Sequence, residues 1–158
     1  MPTNQYSFVT IWKIEAPLQD IWDTISDSTN LPSWWKAVLN VKLIEPGNID
    51  SIGRLEEQTW QGILPYKLTF VIKIVAKENL NSIEFTASGD LEGKGKWSFK
   101  DEGNWVTIQH DWQVKTTKPW LNFFTPVLKP VLAWNHDEIM RWGAEGIAKK
   151  LGANLIEY

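Results

Sequence analysis

The chain has 158 residues, of which 43% are hydrophobic and 22% are charged, a composition typical of folded proteins. Lys and Arg number 16 against 19 Asp and Glu, giving a net charge of −3. This balance argues against a nucleic-acid-binding protein, because phosphate contacts need a concentrated basic face. The length predicts a single domain over residues 1–158.

The first part of the chain predicts a strand followed by two short helices. Tyr6–Ile14 is rich in β-branched and aromatic residues, which is typical of a strand. After Pro17, apolar residues from Leu18 to Ile25 recur at helical spacing. A second short helix or turn is expected over Leu31–Ala37.

The middle of the chain predicts six strands joined by short turns. They are expected at Val38–Glu45, Ile52–Trp60, Tyr66–Lys77, Ser82–Ser88, Leu91–Phe99 and Trp105–Lys115. Such short connections make neighbouring strands antiparallel, because a parallel crossover needs a dozen or more residues.

The end of the chain predicts a long helix. Thr125 and Pro126 suit a helix start, and Pro130 either kinks this helix or begins the main one. From His136 onward an apolar stripe follows helical spacing through Met140, Gly143, Ala144, Ile147, Ala148 and Leu151. The order predicts an α+β fold in which a seven-stranded antiparallel sheet wraps around this helix.

Glycines predict a cavity where the helix meets the sheet. Gly143 and Gly146 lie on the helix with Ala144, and Gly93 and Gly95 lie on a strand. Because these residues carry little or no side chain, we expect them to leave a gap between the two layers.

Several motifs in this order resemble those of the START/Bet v 1-like (SRPBCC) superfamily. They are Trp34-Trp35, Gly53, Leu64-Pro65-Tyr66, Gly89 to Trp97, Thr116 to Trp120, Trp134 to Asp137, and Met140. Within the superfamily they are most similar to bacterial polyketide cyclase/dehydrase-like proteins. The resemblance implies the helix-grip fold and a hydrophobic small-molecule ligand, such as a lipid or polyketide, in an internal cavity.

Alternation along the strands selects candidate ligand-binding residues. Trp97 and Trp112 are expected to point inward from neighbouring strands. Trp34 and Trp35 are expected at the cavity mouth of a helix-grip fold, with at least one of them packed inward. The full set of expected ligand-binding residues is Trp34, Trp60, Phe70, Phe85, Trp97, His110, Trp112, Met140 and Ala144.

His110 is the candidate catalytic residue, because alternation places its ionisable side chain on an apolar face. Histidine is the usual general acid or base near neutral pH. The alternative is a neutral histidine hydrogen-bonded within the core. Glu56 and Tyr66 are its expected helpers if the protein is an enzyme. Glu56 and Glu57 point to opposite faces of a strand, so one of them is expected to face inward. Either could anchor a ligand, although an exposed charge at a sheet edge is the first expectation.

Several classes of site are not expected. The chain has no Cys and no His-x-x-x-His spacing, so neither a metal site nor a cofactor is predicted. Gly93-Lys94-Gly95 lacks the third glycine and the following helix of a dinucleotide site. We expect no signal peptide and no transmembrane segment, and therefore a cytoplasmic protein.

Three functions are compatible with these features. The first is binding of a hydrophobic or aromatic small molecule in the internal cavity. The second is a cyclase or dehydratase acting on a polyketide-like substrate. The third is an interaction module of the Hsp90-activator type, which a cavity sealed by large side chains favours. A homodimer is compatible with each.

Overall fold

One antiparallel sheet of eight strands dominates the computed structural model, which describes residues 5–158. The strands are β1 (Gln5–Glu15), β2 (Val38–Glu45), β3 (Leu55–Trp60), β4 (Leu68–Glu78), β5 (Ser82–Gly89), β6 (Leu91–Asp101), β7 (Val106–Thr116) and β8 (Asn154–Glu157). Their order across the sheet is β2-β3-β4-β5-β6-β7-β1-β8. The strands from β2 to β7 form a continuous meander, and β1 closes against β7.

The sheet has one strand more than the seven predicted. The additional strand, β8, pairs with β1 through Leu155 opposite Ile14. Its four residues are too few to show the polar and apolar alternation that marks a strand in a sequence. β3 begins at Leu55, three residues later than expected, because Ser51 and Gly53 adopt positive φ angles of 66° and 84°.

Four α-helices accompany the sheet in the described part of the chain. They are α1 (Leu18–Ser26), α2 (Leu31–Trp34), α3 (Pro119–Phe123) and α4 (Thr125–Leu151), with a 3₁₀ turn at Ser28–Asn30 before α2. Pro130 lies inside α4, which settles the choice that the sequence left open. Gly152 ends α4 in the left-handed conformation, with φ at 62°.

α4 packs across the concave face of the sheet, as the helix-grip prediction requires. The apolar stripe faces the sheet, since Met140, Ala144, Ile147 and Ala148 are all buried. The inward alternation predicted for β7 is also confirmed: Val106, Ile108, His110, Trp112 and Val114 are buried.

A dense aromatic core lies between the sheet and the helices. Trp12 lies 5.6 Å from Trp35 and 5.5 Å from Trp97, measured between ring centroids. Trp12 and Trp35 are each only 1% exposed. Trp22 on α1 packs edge-on against Phe99 on β6. Trp35 and Trp97 belong both to this aromatic core and to the lining of the cavity described below.

The segment from α3 into α4 carries an exposed apolar surface. Phe123 and Val127 are 79% and 75% exposed, and Trp120, Phe124, Val131 and Trp134 are also exposed. Within residues 5–158, none of the helices has the length and apolar character needed to cross a bilayer.

Candidate functional site

A largely apolar cavity of about 200 Å³ lies between the concave face of the sheet and α4. Strands β1 and β3 to β7 form one wall, and the middle of α4 forms the other. Aromatic rings dominate its lining: Phe8, Trp35, Trp60, Tyr66, Phe70, Phe85, Trp97 and Trp112. An apolar lining with a few polar groups is the usual composition of a small-molecule site.

Most of the predicted site residues come together in this cavity. Those that line it are Trp60, Phe70, Phe85, Trp97, His110, Trp112 and Met140. They come from several different elements, and it is the antiparallel register that aligns the strand residues. Phe85 on β5 lies opposite Gly95 on β6, which in turn lies opposite Trp112 on β7.

Two predicted site residues, Trp34 and Ala144, lie outside the cavity lining. Trp34 is buried beside α4, where its ring stacks on Trp35 with centroids 5.4 Å apart. Ala144 is fully buried next to Gly143, in the part of α4 that Trp35 covers. Trp35, rather than Trp34, is the indole that reaches the cavity.

The glycines close space instead of opening it, which corrects the sequence prediction. A Cβ atom on Gly143 would lie 2.5 Å from the Trp35 ring, and one on Gly146 would lie 1.9 Å from the Trp34 carbonyl oxygen. On β6, a Cβ atom on Gly95 would lie 2.4 Å from the Phe85 ring. Aromatic rings and backbone therefore occupy the volume that these glycines leave, and the Trp35 and Phe85 rings that pack there also form part of the cavity wall.

Trp35 joins α2 to α4 and forms part of the cavity wall. Its indole Nε1 donates a hydrogen bond of 2.8 Å to the backbone carbonyl of Ile139. Its ring packs edge-on against Trp60 at 4.8 Å and Trp97 at 6.1 Å. A buried indole with a satisfied N–H group makes a rigid wall for an apolar ligand.

A buried carboxylate cluster lies at the β3 side of the cavity. Glu56 is 1% exposed, and it accepts hydrogen bonds from Ser28 Oγ at 2.7 Å, Arg54 Nε at 3.1 Å and Gln58 Nε2 at 2.7 Å. Gln58 Oε1 in turn accepts from Trp60 Nε1 at 2.9 Å. Glu56 is thus the inward-facing member of the Glu56–Glu57 pair. An exposed charge, the first expectation for either residue, is wrong for Glu56, because donors from two chain neighbours and the 3₁₀ turn stabilise its carboxylate inside the protein.

The two histidines of the chain both line the cavity, from opposite walls. Burial, and after it the nearby His136, lower the pKa of His110 to about 3. Burial lowers the pKa of His136 to about 4. Both imidazoles are therefore neutral at physiological pH. In the described part of the chain no carboxylate hydrogen-bonds to either ring, so His110 lacks the orienting partner typical of a catalytic base.

The loop between β3 and β4 is held over the cavity by Asn135 of α4. The Asn135 Oδ1 atom accepts hydrogen bonds from the backbone N–H groups of Ile63 at 2.7 Å and Leu64 at 3.3 Å. A Cβ atom on Gly62 would lie 2.2 Å from the same oxygen, so glycine is required for this contact. The side chain of one helix residue thus sets the position of this loop.

Tyr66 follows this loop and lines the cavity with a neutral phenol. Burial, and after it the neighbouring Tyr6, raise the pKa of Tyr66 to about 12. Its ring packs edge-on against Trp120 of α3, with centroids 5.6 Å apart. Tyr66 thus lies in the same cavity as His110, which the enzyme alternative requires of a residue that assists His110.

Several lining residues were missed by the sequence analysis. Phe8 shares the inward face of β1 with Tyr6 and Trp12, so simple alternation identifies it. His136 lies one helical turn before Met140 and belongs to the same stripe of α4. Gln58 shares the face of Trp60, a residue that was selected. In each case strand alternation or helical spacing places the residue on the inward face. These residues were not selected because the side chain is polar or because the inward face of the strand had not been assigned.

The structure also bears on metal binding. Within residues 5–158, no group of three His, Cys, Asp or Glu side chains is arranged to hold a metal ion.

The comparison with protein families identifies the chain. A family model described as polyketide cyclase/dehydrase and lipid transport matches residues 14–138, well over half of the sequence. The chain belongs to this family. A search of curated proteins finds no match.

Solved structures share the fold at low sequence identity. A protein from Thermus thermophilus, TTHA0849, aligns with a TM-score of 0.73 and 15% identity over 92% of this chain and 99% of that one. A START superfamily protein from Mycobacterium smegmatis aligns with a TM-score of 0.72 and 16% identity, over 94% of this chain and 97% of that one. The Zhui aromatase/cyclase from Streptomyces sp. R1128 aligns with a TM-score of 0.68 and 10% identity, over 92% of this chain and 95% of that one. These likenesses establish the START/Bet v 1 helix-grip fold for this polyketide cyclase/dehydrase family member.

Proposed function

We propose that this protein binds a hydrophobic or aromatic small molecule in the cavity between the sheet and α4. The observation that carries the proposal is the aromatic lining, in which Trp60, Trp97 and Trp112 all contact the same open volume. Burying apolar ligand surface there gains about 25 cal/mol per Å². Family membership supports the same class of ligand, since the family description includes lipid transport.

The cavity favours binding over the other two functions. An interaction module of the Hsp90-activator type is favoured by a sealed interior, and this interior is open. A cyclase or dehydratase is supported by the family description and by the aromatase/cyclase among the structural neighbours. His110, however, has no carboxylate partner and a pKa of about 3, far from the value near neutrality that suits a general acid or base.

A matched pair of tryptophan substitutions tests the proposal. Val114 lines the cavity from β7, whereas Val9 lies 64% exposed on the outer face of β1. The neutral fluorescent probe N-phenyl-1-naphthylamine is expected to bind the native protein saturably. Val114→Trp fills the cavity and is expected to weaken probe binding by roughly tenfold or more, while Val9→Trp leaves it unchanged. A tenfold loss corresponds to about 1.4 kcal/mol, or roughly 55 Å² of apolar contact.

Two results contradict the proposal. One is a native protein that shows no saturable probe fluorescence. The other is a Val114→Trp variant that binds the probe as tightly as the native protein. Melting temperatures of both variants show whether each remains folded, and in a hollow cavity the Val114→Trp change costs little stability.

Homodimer formation and a cytoplasmic location belong to the same proposal. The exposed apolar surface around Phe123 and Val127 supports self-association, since contiguous apolar surface often marks an interaction site. Sedimentation velocity distinguishes the dimer from a monomer. The cytoplasmic location stays a prediction from the sequence.

A further inference from the structure

The two cavity histidines line neighbouring parts of the ligand space. His136 on α4 stacks on Phe8 of β1, with ring centroids 3.9 Å apart and an angle of 12° between the planes. Phe8 lies opposite Trp112 in the β1–β7 pairing. His110 is two residues from Trp112 on the same face of β7, and their ring centroids are 6.1 Å apart. One imidazole therefore comes from the sheet and the other from the helix, at adjacent positions along the cavity.

Both imidazoles retain unused hydrogen-bonding capacity. The Nδ1 atoms of His110 and His136 are buried, and within the described residues neither has a hydrogen-bond partner. Asp137 Oδ1 lies 3.9 Å from His136 Nδ1, which is too far for a hydrogen bond. Buried polar atoms in folded proteins are nearly always paired, so two such atoms in one cavity point to a ligand group that completes them.

The side chains around the pair are mostly neutral. Two cations near the cavity are directed at other rings: the Lys77 Nζ atom lies 5.7 Å from the Trp22 ring centroid, and the Lys129 Nζ atom lies 5.2 Å from the Tyr6 ring centroid. His110 and His136 are both uncharged at physiological pH, and the high pKa of Tyr66 keeps its phenol protonated. The Glu56 carboxylate is satisfied by its three hydrogen-bond donors. A neutral imidazole offers one N–H donor and one acceptor nitrogen. A hydroxyl group is the simplest partner for two such rings, since it donates one hydrogen bond and accepts another.

We propose that His110 and His136 together bind a hydroxyl group of a neutral aromatic ligand and thereby select it over a carboxylate or an ether of the same shape. This inference rests on the proposed function of the cavity. An ether has no hydrogen to donate to an imidazole acceptor. A carboxylate only accepts hydrogen bonds, and burying its charge beside two uncharged imidazoles is unfavourable.

Three naphthalenes of matched shape test the selection at pH 7.5, each measured by displacement of N-phenyl-1-naphthylamine. We expect 2-naphthol to bind roughly threefold to tenfold more tightly than 2-methoxynaphthalene, the effect of one net hydrogen bond. We expect 2-naphthoate to bind at least roughly tenfold more weakly than 2-naphthol, because its charge must leave water.

Substitutions then assign the selection to the histidines. His110→Phe and His136→Phe keep an aromatic ring and remove its nitrogens, and each is expected to reduce the preference for 2-naphthol over 2-methoxynaphthalene to within roughly twofold. Val9→Phe adds an aromatic ring on the exposed outer face of β1, away from the cavity, and it is expected to keep the preference. Circular dichroism confirms that each variant is folded, and either histidine variant alone suffices for the test.

The results separate this inference from the function on which it rests. A native protein that binds no probe contradicts the proposed function. A native protein that binds the probe but treats 2-naphthol and 2-methoxynaphthalene equally overturns the histidine inference alone. The same conclusion follows if the preference survives in the histidine variants or if 2-naphthoate binds most tightly.

Discussion

At the scale of single residues, burial decides the chemistry of His110 and His136. Both side chains lie in an apolar wall, and desolvation disfavours their charged forms. Their pKa values of about 3 and 4 are far below the 6.5 of an exposed histidine. The alternation of β7 predicted that His110 points inward, but not the loss of its basicity. That loss depends on burial by α4 from the other side of the cavity, and the local sequence of β7 carries no information about this contact.

The lowered pKa values predict a stability that falls in mild acid. Between the folded values and about 6.5, the unfolded chain binds protons that the folded protein does not. Stability is therefore fully present above about pH 6.5 and is lost as the pH falls towards about 4, by up to about 1.4 kcal/mol per pH unit for each histidine. Urea unfolding at pH 7.5, 6.0 and 5.0 measures this loss.

The His136→Phe variant supplies the control for this pH dependence. Carboxylates titrate similarly in the variant and in the native protein, so the difference between the two isolates one histidine. We expect the native protein to lose about 1 kcal/mol more than the variant between pH 6.0 and 5.0. If the free energy of unfolding changed with pH equally in the two proteins, His136 would not be buried in its neutral form.

At the scale of elements, the contact between α2 and α4 depends on glycine. Gly146 lies under the Trp34 backbone and Gly143 lies under the Trp35 ring. The sequence correctly placed these glycines on the buried side of α4. It could not show what they face, because α2 lies roughly a hundred residues away along the chain. The prediction of a gap followed from assigning the sheet, rather than α2, as their neighbour.

Gly146→Ala tests this contact. In an exposed helix position, replacing glycine by alanine stabilises by about 1 kcal/mol. Here the new Cβ atom would lie 1.9 Å from the Trp34 carbonyl oxygen, so we expect a loss of roughly 1–3 kcal/mol instead. Thermal or urea unfolding measures it, with Lys150→Ala on the exposed face of α4 as the matched control. An increase in stability would mean that α2 does not pack on this face.

At the scale of the whole molecule, the order of elements was the most predictable feature. The alternation of β4 and β7, the short turns and the stripe from Met140 to Leu151 each reflect local chemistry, and together they select the helix-grip fold. β8 escaped prediction because an element this short carries too little pattern. The carboxylate cluster escaped because Ser28 and Glu56 meet only through tertiary folding. That residues 1–158 form one domain stays a prediction.

The cavity itself is a property of the whole fold. Its lining comes from six strands, from α4 and from the segment that holds Trp35. No single element encodes it, although most of its predicted lining residues were selected from strand alternation. The proposed function therefore depends on whether this space is open and takes an aromatic molecule.

A crystal structure of the protein soaked with 6-bromo-2-naphthol tests this claim most directly, because anomalous scattering locates the bromine atom without ambiguity. We expect a bromine peak between the sheet and α4, in contact with the wall formed by Trp112 and Met140. A cavity filled by protein side chains, or bromine peaks found only on the outer surface, would contradict the proposed function.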